Sequence, residues 1–206
     1  MTVLYDYWRS SASYRVRIAL NLAGEEWRAV PVDLLAAEHK ATAHLARHPQ
    51  GLVPALEIDG IMMTQSLAII EYLEETRGLG LLPDAPGDRA RVRAMAYAIA
   101  IDIHPVCNLS VARFAVEQSG GALNMQDWMQ HFITPGLRAF EAMLGPGRYC
   151  WGNGVSLADL CLVPQLYNAR RWAVDLTDMP RIRAIDARLN DLPAFAAAHP
   201  DRVKPA

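Results

Sequence analysis

The sequence predicts an α/β N-terminal domain followed by an all-α C-terminal domain. Strand-like and helix-like patterns alternate over residues 1–77, and strand patterns disappear after a Gly- and Pro-rich segment at residues 78–88. The chain has 206 residues, 52% of them hydrophobic, which is enough for two small domains with separate cores. We therefore assign residues 1–80 to the first domain, 81–87 to a linker and 88–206 to the second.

A β-α-β unit is expected at the N-terminus. Residues 2–7 and 27–32 have the apolar and aromatic composition of short strands. Between them, apolar residues recur at helical spacing over residues 16–23, after a run of serines. Strands joined by a single crossover helix lie parallel, so we expect these two strands to be parallel.

A short helix and a hairpin are expected next. Residues 38–47 have a polar helical pattern. Residues 55–58 and 61–64 are apolar runs on either side of Asp59-Gly60, a dipeptide typical of two-residue hairpin turns. These two runs are therefore predicted to pair as antiparallel strands.

A helix from Ser66 to about Arg77 completes the first domain. Its apolar residues fall on one face, and Gly78 is the residue type that ends many helices in a left-handed conformation. The resulting order β-α-β-α-β-β-α describes a mixed sheet flanked by helices. This is the arrangement of thioredoxin-like domains.

Helices of the second domain are expected after residues that cap helix N-termini. These signals are Asp88, Asn124 with Asp127, and the capping box from Ser156 to Asp159. Proline disrupts helices, so we expect a kink or break at Pro105 and an interruption at Pro135-Gly136. The expected helices are 88–104, 108–117, 124–144, a buried core helix opening at 156, and short ones near 181–189 and 194–198.

The composition excludes several classes of function. A net charge of −2 supplies no basic surface for nucleic acid or an acidic membrane. No apolar run reaches the roughly 18 residues that span a bilayer, and no signal-peptide pattern is present. Cys107, Cys150 and Cys161 are odd in number and lack metal-ligand spacing, which argues against disulfides and a metal site and favours a cytoplasmic location.

The serine run before the first helix has two interpretations. Ser10, Ser11 and Ser13 are residue types that cap helix N-termini, and capping alone would explain them. Alternatively, the free N–H groups and the positive dipole end of the helix bind an anion, with Ser10 or Ser11 donating a further hydrogen bond. The run by itself does not decide between them.

Two further positions in the first domain suggest a binding site for an extended peptide. A proline before a strand is usually an edge or turn device, but a cis Val53-Pro54 bond would turn the Val53 N–H and C=O outward to pair with such a ligand. Gln65-Ser66, at the start of a helix, either caps it or holds a carboxylate.

Four motifs together resemble one protein family. They are residues 10–20 (SSASYRVRIAL), 52–56 (LVPAL), 65–73 (QSLAIIEYL) and 156–160 (SLADL). The chain is similar to the zeta-class glutathione transferases, and more narrowly to the maleylacetoacetate and maleylpyruvate isomerases of that class. The resemblance extends over nearly the whole chain, and the serine-rich run is its most specific part.

The resemblance implies that glutathione is the cofactor and that the first domain binds it. Val53 would pair with the cysteinyl main chain of glutathione. Gln65 and Ser66 would hold its γ-glutamyl end. His39 and the region around Gln50 would reach its glycine end.

Further glutathione contacts follow from the same resemblance. Arg15, within the serine-run motif, is one of them, and Asp102, His104 and Asn108 of the second domain are the others. A broken helix at Pro105 would aim His104 and Asn108 at the ligand. The family forms homodimers, so Asp102 is expected to reach the glutathione amine across the dimer interface.

The glutathione thiol would point at Ser10, Ser11 and the helix N-terminus. A free thiol has a pKa of about 8.5, and lowering it by about two pH units, worth roughly 2.7 kcal/mol, makes thiolate the major form at neutral pH. The family motif commonly reads Ser-Ser-Cys, whereas this sequence has Ala12 at the third position. The chemistry is therefore expected to depend on the glutathione sulfur alone.

The activity implied is glutathione-dependent cis-trans isomerisation of maleylacetoacetate or maleylpyruvate in the catabolism of aromatic compounds. Thiolate addition gives a rotatable single bond, and elimination returns glutathione unchanged. Arg9 and Arg171 are the candidate ligands for the carboxylates of this small dicarboxylate substrate. The alternatives are a general transferase that conjugates or dehalogenates small halo-acids, and a non-catalytic interaction module of the same fold.

Overall fold

A computed structural model describes residues 1–205 of the chain, which group into two units. The first comprises Met1–Leu79 together with the C-terminal segment from Asp191, and the second is Gly80–Asn190. The predicted architecture, an α/β thioredoxin-like part and an all-α part, is confirmed.

Four strands form one mixed sheet in the first unit. They are β1 (Thr2–Asp6), β2 (Trp27–Pro31), β3 (Ala55–Ile58) and β4 (Ile61–Thr64), in the spatial order β2-β1-β3-β4. β1 and β2 are parallel, as expected from the crossover helix α1 (Ser11–Leu22), whereas β3 is antiparallel to both β1 and β4. The mixed sheet therefore has the predicted topology.

The polar stretch predicted as one helix over residues 38–47 is two shorter pieces. A 3-10 turn occupies Glu38–Lys40 and the helix α2 occupies Thr42–Leu45. Ala41 between them has an extended backbone, with φ −66° and ψ 146°, which interrupts the helical hydrogen bonds. The prediction of a single helix was wrong for that reason.

The hairpin and the helix after it match the sequence prediction. Asp59 and Gly60 both have positive φ, 54° and 77°, as a two-residue turn of type I′ requires. The helix α3 (Ser66–Arg77) ends at Gly78, which is in the left-handed region with φ 66°.

The second unit opens with a helix that begins earlier than expected. α4 (Pro86–Tyr97) has Pro86 in its first turn, where the missing N–H and the fixed φ of proline are compatible with helix. Asp88 therefore lies inside the first turn, and Ala85, not Asp88, is the N-cap. The predicted helix start at Asp88 was therefore wrong, because the helix begins at Pro86.

Helical structure continues from α4 to the residues around Pro105. A π-helical segment occupies Ala98–Ile103, and α5 (His104–Val106) follows it. Because Pro105 has no N–H to donate to the preceding turn, the disruption predicted there takes the form of a wider turn, not a chain break. The bend comes later, at 41° between the helical stretch Pro86–Val106 and α6 (Leu109–Gln118).

The helix α7 (Met125–Met143) contradicts the predicted interruption at Pro135-Gly136. Its N-cap is Asn124, as predicted, and it continues unbroken through both residues. Its buried residues, Met129, Ile133, Leu137 and Phe140, lie on either side of the proline, so packing maintains the helix there. A Cβ on Gly136 would lie 2.5 Å from Ile103 Cδ1, so glycine permits the close approach of the π-helical segment.

The core helix of the second unit is α8 (Leu157–Arg171), which begins at the predicted capping box of Ser156 and Asp159. Buried Asp159 accepts hydrogen bonds from the N–H of Ser156 at 2.8 Å and of Cys150 at 3.0 Å. α9 (Pro180–Asn190) is the last helix of this unit.

The C-terminal segment packs with the first unit. It carries α10 (Pro193–Ala198) and α11 (Pro200–Val203). Arg17 Nε of α1 donates to the Ala198 carbonyl at 3.0 Å, and Asn21 Nδ2 donates to the Ala194 carbonyl at 2.9 Å. The all-helical unit is thus shorter at its C-terminal end than the predicted domain 88–206.

In the part of the chain that is described, residues 1–205, no single helix is both long and apolar enough to cross a membrane. Only the bent pair of helical stretches Pro86–Val106 and Leu109–Gln118 reaches that threshold when the two are taken together.

Candidate active site

The N-terminus of α1 is capped by the first residue of the serine run. Ser10 has an extended backbone, and its Oγ accepts a hydrogen bond from Ser13 N–H at 3.2 Å. Ser10 is half-buried, whereas Ser11, Ala12 and Ser13 are buried. Among residues 1–205, no acceptor is bound to Ala12 N–H. The positive end of α1 therefore keeps a main-chain donor beside the Ser10 hydroxyl, which is what an anion site requires.

Arg15 connects this helix end to the start of α3. It is fully buried, and its Nη1 lies 3.4 Å from Ser66 Oγ, which accepts the hydrogen bond. Two predicted site residues from α1 and α3 are thus brought together. Arg15 therefore stays a candidate glutathione contact beside Ser66.

Gln65 and Gln50 also meet, although 15 positions separate them in sequence. Gln65 Nε2 donates to Gln50 Oε1 at 2.8 Å, and both residues are exposed. Gln65 has a positive φ of 69° between β4 and α3, a conformation that non-glycine residues rarely adopt. Strained backbone of this kind is common at binding sites.

The loop before β3 presents unpaired main-chain groups. The Val53-Pro54 peptide bond is cis, as considered from the sequence. Within the described residues, neither the N–H nor the C=O of Val53 takes part in a hydrogen bond. This short stretch of free backbone can pair with an extended peptide as an added strand would.

His39 lies in the 3-10 turn next to this loop. Burial, followed by the charge of neighbouring Lys40, lowers the pKa of His39. Lys40 was not identified from the sequence, because a lone lysine in a polar segment carries no signal. Its Nζ donates to the Gln50 and Gly51 carbonyls at 3.3 Å each, which places a positive charge near the position expected for the glycine end of glutathione.

Most of the residues predicted to contact glutathione therefore lie in the first unit. Hydrogen bonds link α1 to α3 and the Gln50 loop to Gln65. The chemistry of these groups fits glutathione, a tripeptide with two carboxylates, an amine, a thiol and an extended main chain. The unpaired main chain of Val53 and the open Ala12 N–H are the two observations on which this fit rests.

Arg9 lies directly before the serine run and is held by aromatic neighbours. Its Nη2 donates to Tyr7 Oη at 3.0 Å, and its guanidinium carbon lies 5.0 Å from the ring centroid of Trp8. These contacts restrict the guanidinium while leaving it half-exposed.

The remaining predicted site residues belong to the second unit. Asp102 is exposed in the π-helical segment, and His104 is half-buried at the start of α5. Asn108 caps α6, with its Oδ1 accepting from Ser110 N–H at 3.0 Å and from Ser110 Oγ at 2.9 Å. Arg171 is exposed at the end of α8, 5.8 Å from the ring centroid of Trp172.

The cysteines of the second unit are not suited to be nucleophiles. In the described part of the chain, Cys107, Cys150 and Cys161 form no disulfide, and all three are buried. Burial raises the pKa of Cys107 to about 11, and burial together with nearby Asp159 raises the pKa of Cys150 well above its ordinary value. A thiolate at neutral pH must therefore come from a ligand, which agrees with Ala12 in the serine run.

Comparison with known proteins gives consistent matches. Residues 2–75 match the family model for the N-terminal domain of glutathione S-transferases. The chain is 64% identical over 209 residues to a maleylacetoacetate isomerase of Rhizobium meliloti (strain 1021), and the match covers 99% of this chain and 98% of that protein.

Solved structures agree with this result. A holo structure of maleyl pyruvate isomerase, described as a bacterial zeta-class glutathione S-transferase, matches with a TM-score of 0.94 and 41% identity over 99% of each chain. A maleylacetoacetate isomerase from Methylobacterium extorquens AM1, with bound malonate and glutathione, matches with a TM-score of 0.93 and 41% identity, over 99% of this chain and 100% of that one.

Proposed function

Because the chain belongs to the zeta-class glutathione transferases, and among them to the maleylacetoacetate isomerase family, we propose that it catalyses glutathione-dependent cis-trans isomerisation of maleylacetoacetate or maleylpyruvate. The observation that carries the proposal is the combination, in one unit, of a serine-capped helix end and an unpaired main chain at Val53.

We assign the binding of glutathione to the first unit. Val53 N–H and C=O pair with the cysteinyl main chain, because they have no partner of their own among residues 1–205. Gln65 and Ser66, at the start of α3, hold the γ-glutamyl end. His39 and Gln50 bind the glycine end, and the ammonium of Lys40 adds electrostatic attraction for its carboxylate.

Ser10 is assigned the activation of the bound thiol, with Ser11 as the alternative. When bound, glutathione supplies a thiolate that adds reversibly to the cis double bond of the substrate. Ser10 Oγ already accepts from Ser13 N–H, which leaves the hydroxyl hydrogen free to donate to sulfur. The open Ala12 N–H and the dipole of α1 favour the negative charge further.

Arg9 and Arg171 are assigned to the carboxylates of the substrate. The assignment of Arg9 rests on its position beside Ser10 and on its restricted guanidinium, which loses little conformational freedom on binding. The related Methylobacterium extorquens structure holds malonate, itself a dicarboxylate, together with glutathione. Arg171 supplies the second guanidinium, from the end of α8.

Three residues of the second unit complete the assignment. Asn108 Oδ1 is occupied by Ser110, so its amide N–H groups are the donors left for glutathione. His104 contributes a further polar contact. Asp102 is assigned to the glutathione amine, which it would reach across a dimer interface. We propose, as the family resemblance implies, that the protein is a homodimer. We also propose that it acts in the cytoplasm, in the catabolism of aromatic compounds.

The test is an isomerase assay in which total free glutathione is followed throughout. We expect conversion of at least one of the two maleyl substrates to its trans isomer, strict dependence on glutathione and no net loss of glutathione. Loss of glutathione in step with turnover of a halogenated acid would instead favour the general transferase. Absence of glutathione binding by calorimetry would favour the non-catalytic module.

A further inference from the structure

The segment that contains α2 holds the loop in front of Val53. Three successive carbonyls of that loop, from Gln50 to Leu52, accept hydrogen bonds from side chains of residues 40–44. These bonds are made in the first unit and do not belong to any helix or strand ladder. They fix the main chain up to the residue before Val53.

His44 makes the shortest of these bonds and is the more buried of the two donor residues. Its Nε2 lies 2.7 Å from the Leu52 carbonyl oxygen, and the residue is only 3% exposed. A carbonyl oxygen can only accept, so the imidazole carries its hydrogen on Nε2. The other ring nitrogen, Nδ1, is buried and has no partner among residues 1–205. The hydrogen bond to the Leu52 carbonyl is therefore the one hydrogen bond that the His44 ring makes within residues 1–205.

Neighbouring residues support this arrangement. His48 is also buried, and its ring lies parallel to that of His44 with centroids 6.3 Å apart. Gly51 N–H donates to the His48 carbonyl at 2.7 Å, and Gly51 adopts a φ of +61°. A side chain there would clash, since a Cβ would lie 2.8 Å from the His39 carbonyl oxygen. The loop is thus packed tightly against the segment.

We propose that His44 is a positioning residue for glutathione: by holding the Leu52 carbonyl, it presents the unpaired N–H and C=O of Val53 in the conformation that pairs with the cysteinyl main chain. This inference rests on the proposed function of Val53. His44 itself does not touch glutathione in this account. Its effect is to reduce the conformational freedom that the loop would otherwise lose on binding.

His44 contributes more to this positioning than Lys40 does. Lys40 is exposed, and its bonds to the Gln50 and Gly51 carbonyls are 3.3 Å long. Solvent competes with an exposed ammonium group, whereas the His44 donor is buried and bonds the Leu52 carbonyl at the shorter distance of 2.7 Å. Replacement of His44 should therefore have the larger effect.

The experiment compares His44→Leu with His44→Gln. Leucine has no donor, whereas the glutamine amide supplies an N–H at a reach similar to that of imidazole Nε2. We expect His44→Leu to raise the glutathione Kd from calorimetry, and the apparent KM for glutathione, roughly 3- to 10-fold. Turnover at saturating glutathione should change less than about twofold. His44→Gln should restore most of the binding.

A second readout does not depend on activity or on the ligand. Hydrogen exchange without glutathione should be faster at the Gly51 N–H, which donates to the His48 carbonyl, in His44→Leu than in the wild type or in His44→Gln, while β1 and α3 keep their protection. His131→Leu, the same change at an exposed histidine of the second unit, is the control and should alter neither readout. If His44→Leu fails to fold, His44→Phe, which keeps an aromatic ring beside His48 but has no donor, takes its place in both readouts.

The outcomes separate this inference from the proposed function. Unchanged glutathione affinity and unchanged exchange in His44→Leu would overturn the positioning role, even with an active wild type. Equal loss in His44→Leu and His44→Gln, or a loss confined to turnover, would overturn it as well. If His44→Phe takes the place of His44→Leu, unchanged affinity and unchanged exchange in that variant would likewise overturn the positioning role. A wild type that fails to bind glutathione would contradict the proposed function.

Discussion

Arg17 of α1 and Asp6, the last residue of β1, form a buried ion pair close to the serine run. Arg17 Nη1 lies 2.9 Å and 2.7 Å from the two carboxylate oxygens of Asp6, and the Arg17 side chain is 0% exposed. The same guanidinium donates to the Trp8 carbonyl at 2.9 Å and to the Ala198 carbonyl at 3.0 Å. One side chain thus joins β1, α1, the loop before Ser10 and the C-terminal segment.

Replacement of Arg17 should destabilise the protein strongly. We expect Arg17→Met to lower the free energy of unfolding by about 3–5 kcal/mol, because it leaves the Asp6 carboxylate buried without its partner. Equilibrium urea denaturation measures this change. Arg138→Met, which removes an exposed ion pair with Asp178, is the matched control and should have little effect. Similar losses in both variants would contradict the account.

The stability of the protein should fall as the pH is lowered through the histidine range. Burial and the neighbouring His44 and Lys40 lower the pKa of His48. A histidine with a lowered pKa binds fewer protons in the folded state than in the unfolded state. Its contribution to the free energy of unfolding is therefore complete above the unfolded pKa of about 6.5 and is lost as the pH falls through the folded pKa.

The variant His48→Gln tests this dependence. Removing the titrating group should make the curve of unfolding free energy against pH flatter below about pH 6.5 than that of the wild type. Urea denaturation at several pH values gives both curves. Parallel curves for the two proteins would show that His48 does not cause the dependence.

The capping box of α8 should be more sensitive than an exposed cap. Asp159 is fully buried and accepts from the N–H groups of Ser156 and Cys150 and from the Ser156 hydroxyl, so Asp159→Ala removes the acceptor of three buried donors. We expect a loss of roughly 2–5 kcal/mol in unfolding free energy. Asn124→Ala, at the exposed cap of α7, should cost about 1 kcal/mol because water can replace the side chain. Equal costs would contradict this explanation.

Much of the fold follows from local signals in the sequence. Asp59-Gly60 determines a turn because both residues adopt positive φ, and Ser156 with Asp159 begins a helix through hydrogen bonds three residues apart. The crossover helix α1 likewise determines the parallel pairing of β1 and β2. The turn and the capping box depend only on neighbouring residues, and the parallel pairing follows from the order of elements along the chain.

Features that depend on distant packing were missed. The C-terminal segment joins the first unit through bonds such as Arg17 to Ala198, between residues 181 positions apart. Packing also keeps α7 continuous through Pro135. In the site, the bonds from His44 to Leu52 and from Gln65 to Gln50 depend on how the chain folds back, and no motif encodes them. The sequence identified the candidate residues but not the contacts that hold them.

The most direct test of the thiolate assignment is a pH titration of bound glutathione, followed through the ultraviolet absorbance of its thiolate. We predict a midpoint about two pH units below that of the free thiol in the wild type. In Ser10→Ala the midpoint should return toward the free value, with glutathione binding retained and turnover reduced. Ser11→Ala is the matched comparison, and a shift confined to that variant would move the role to Ser11. A wild-type midpoint equal to that of free glutathione would contradict thiolate stabilisation by the N-terminus of α1.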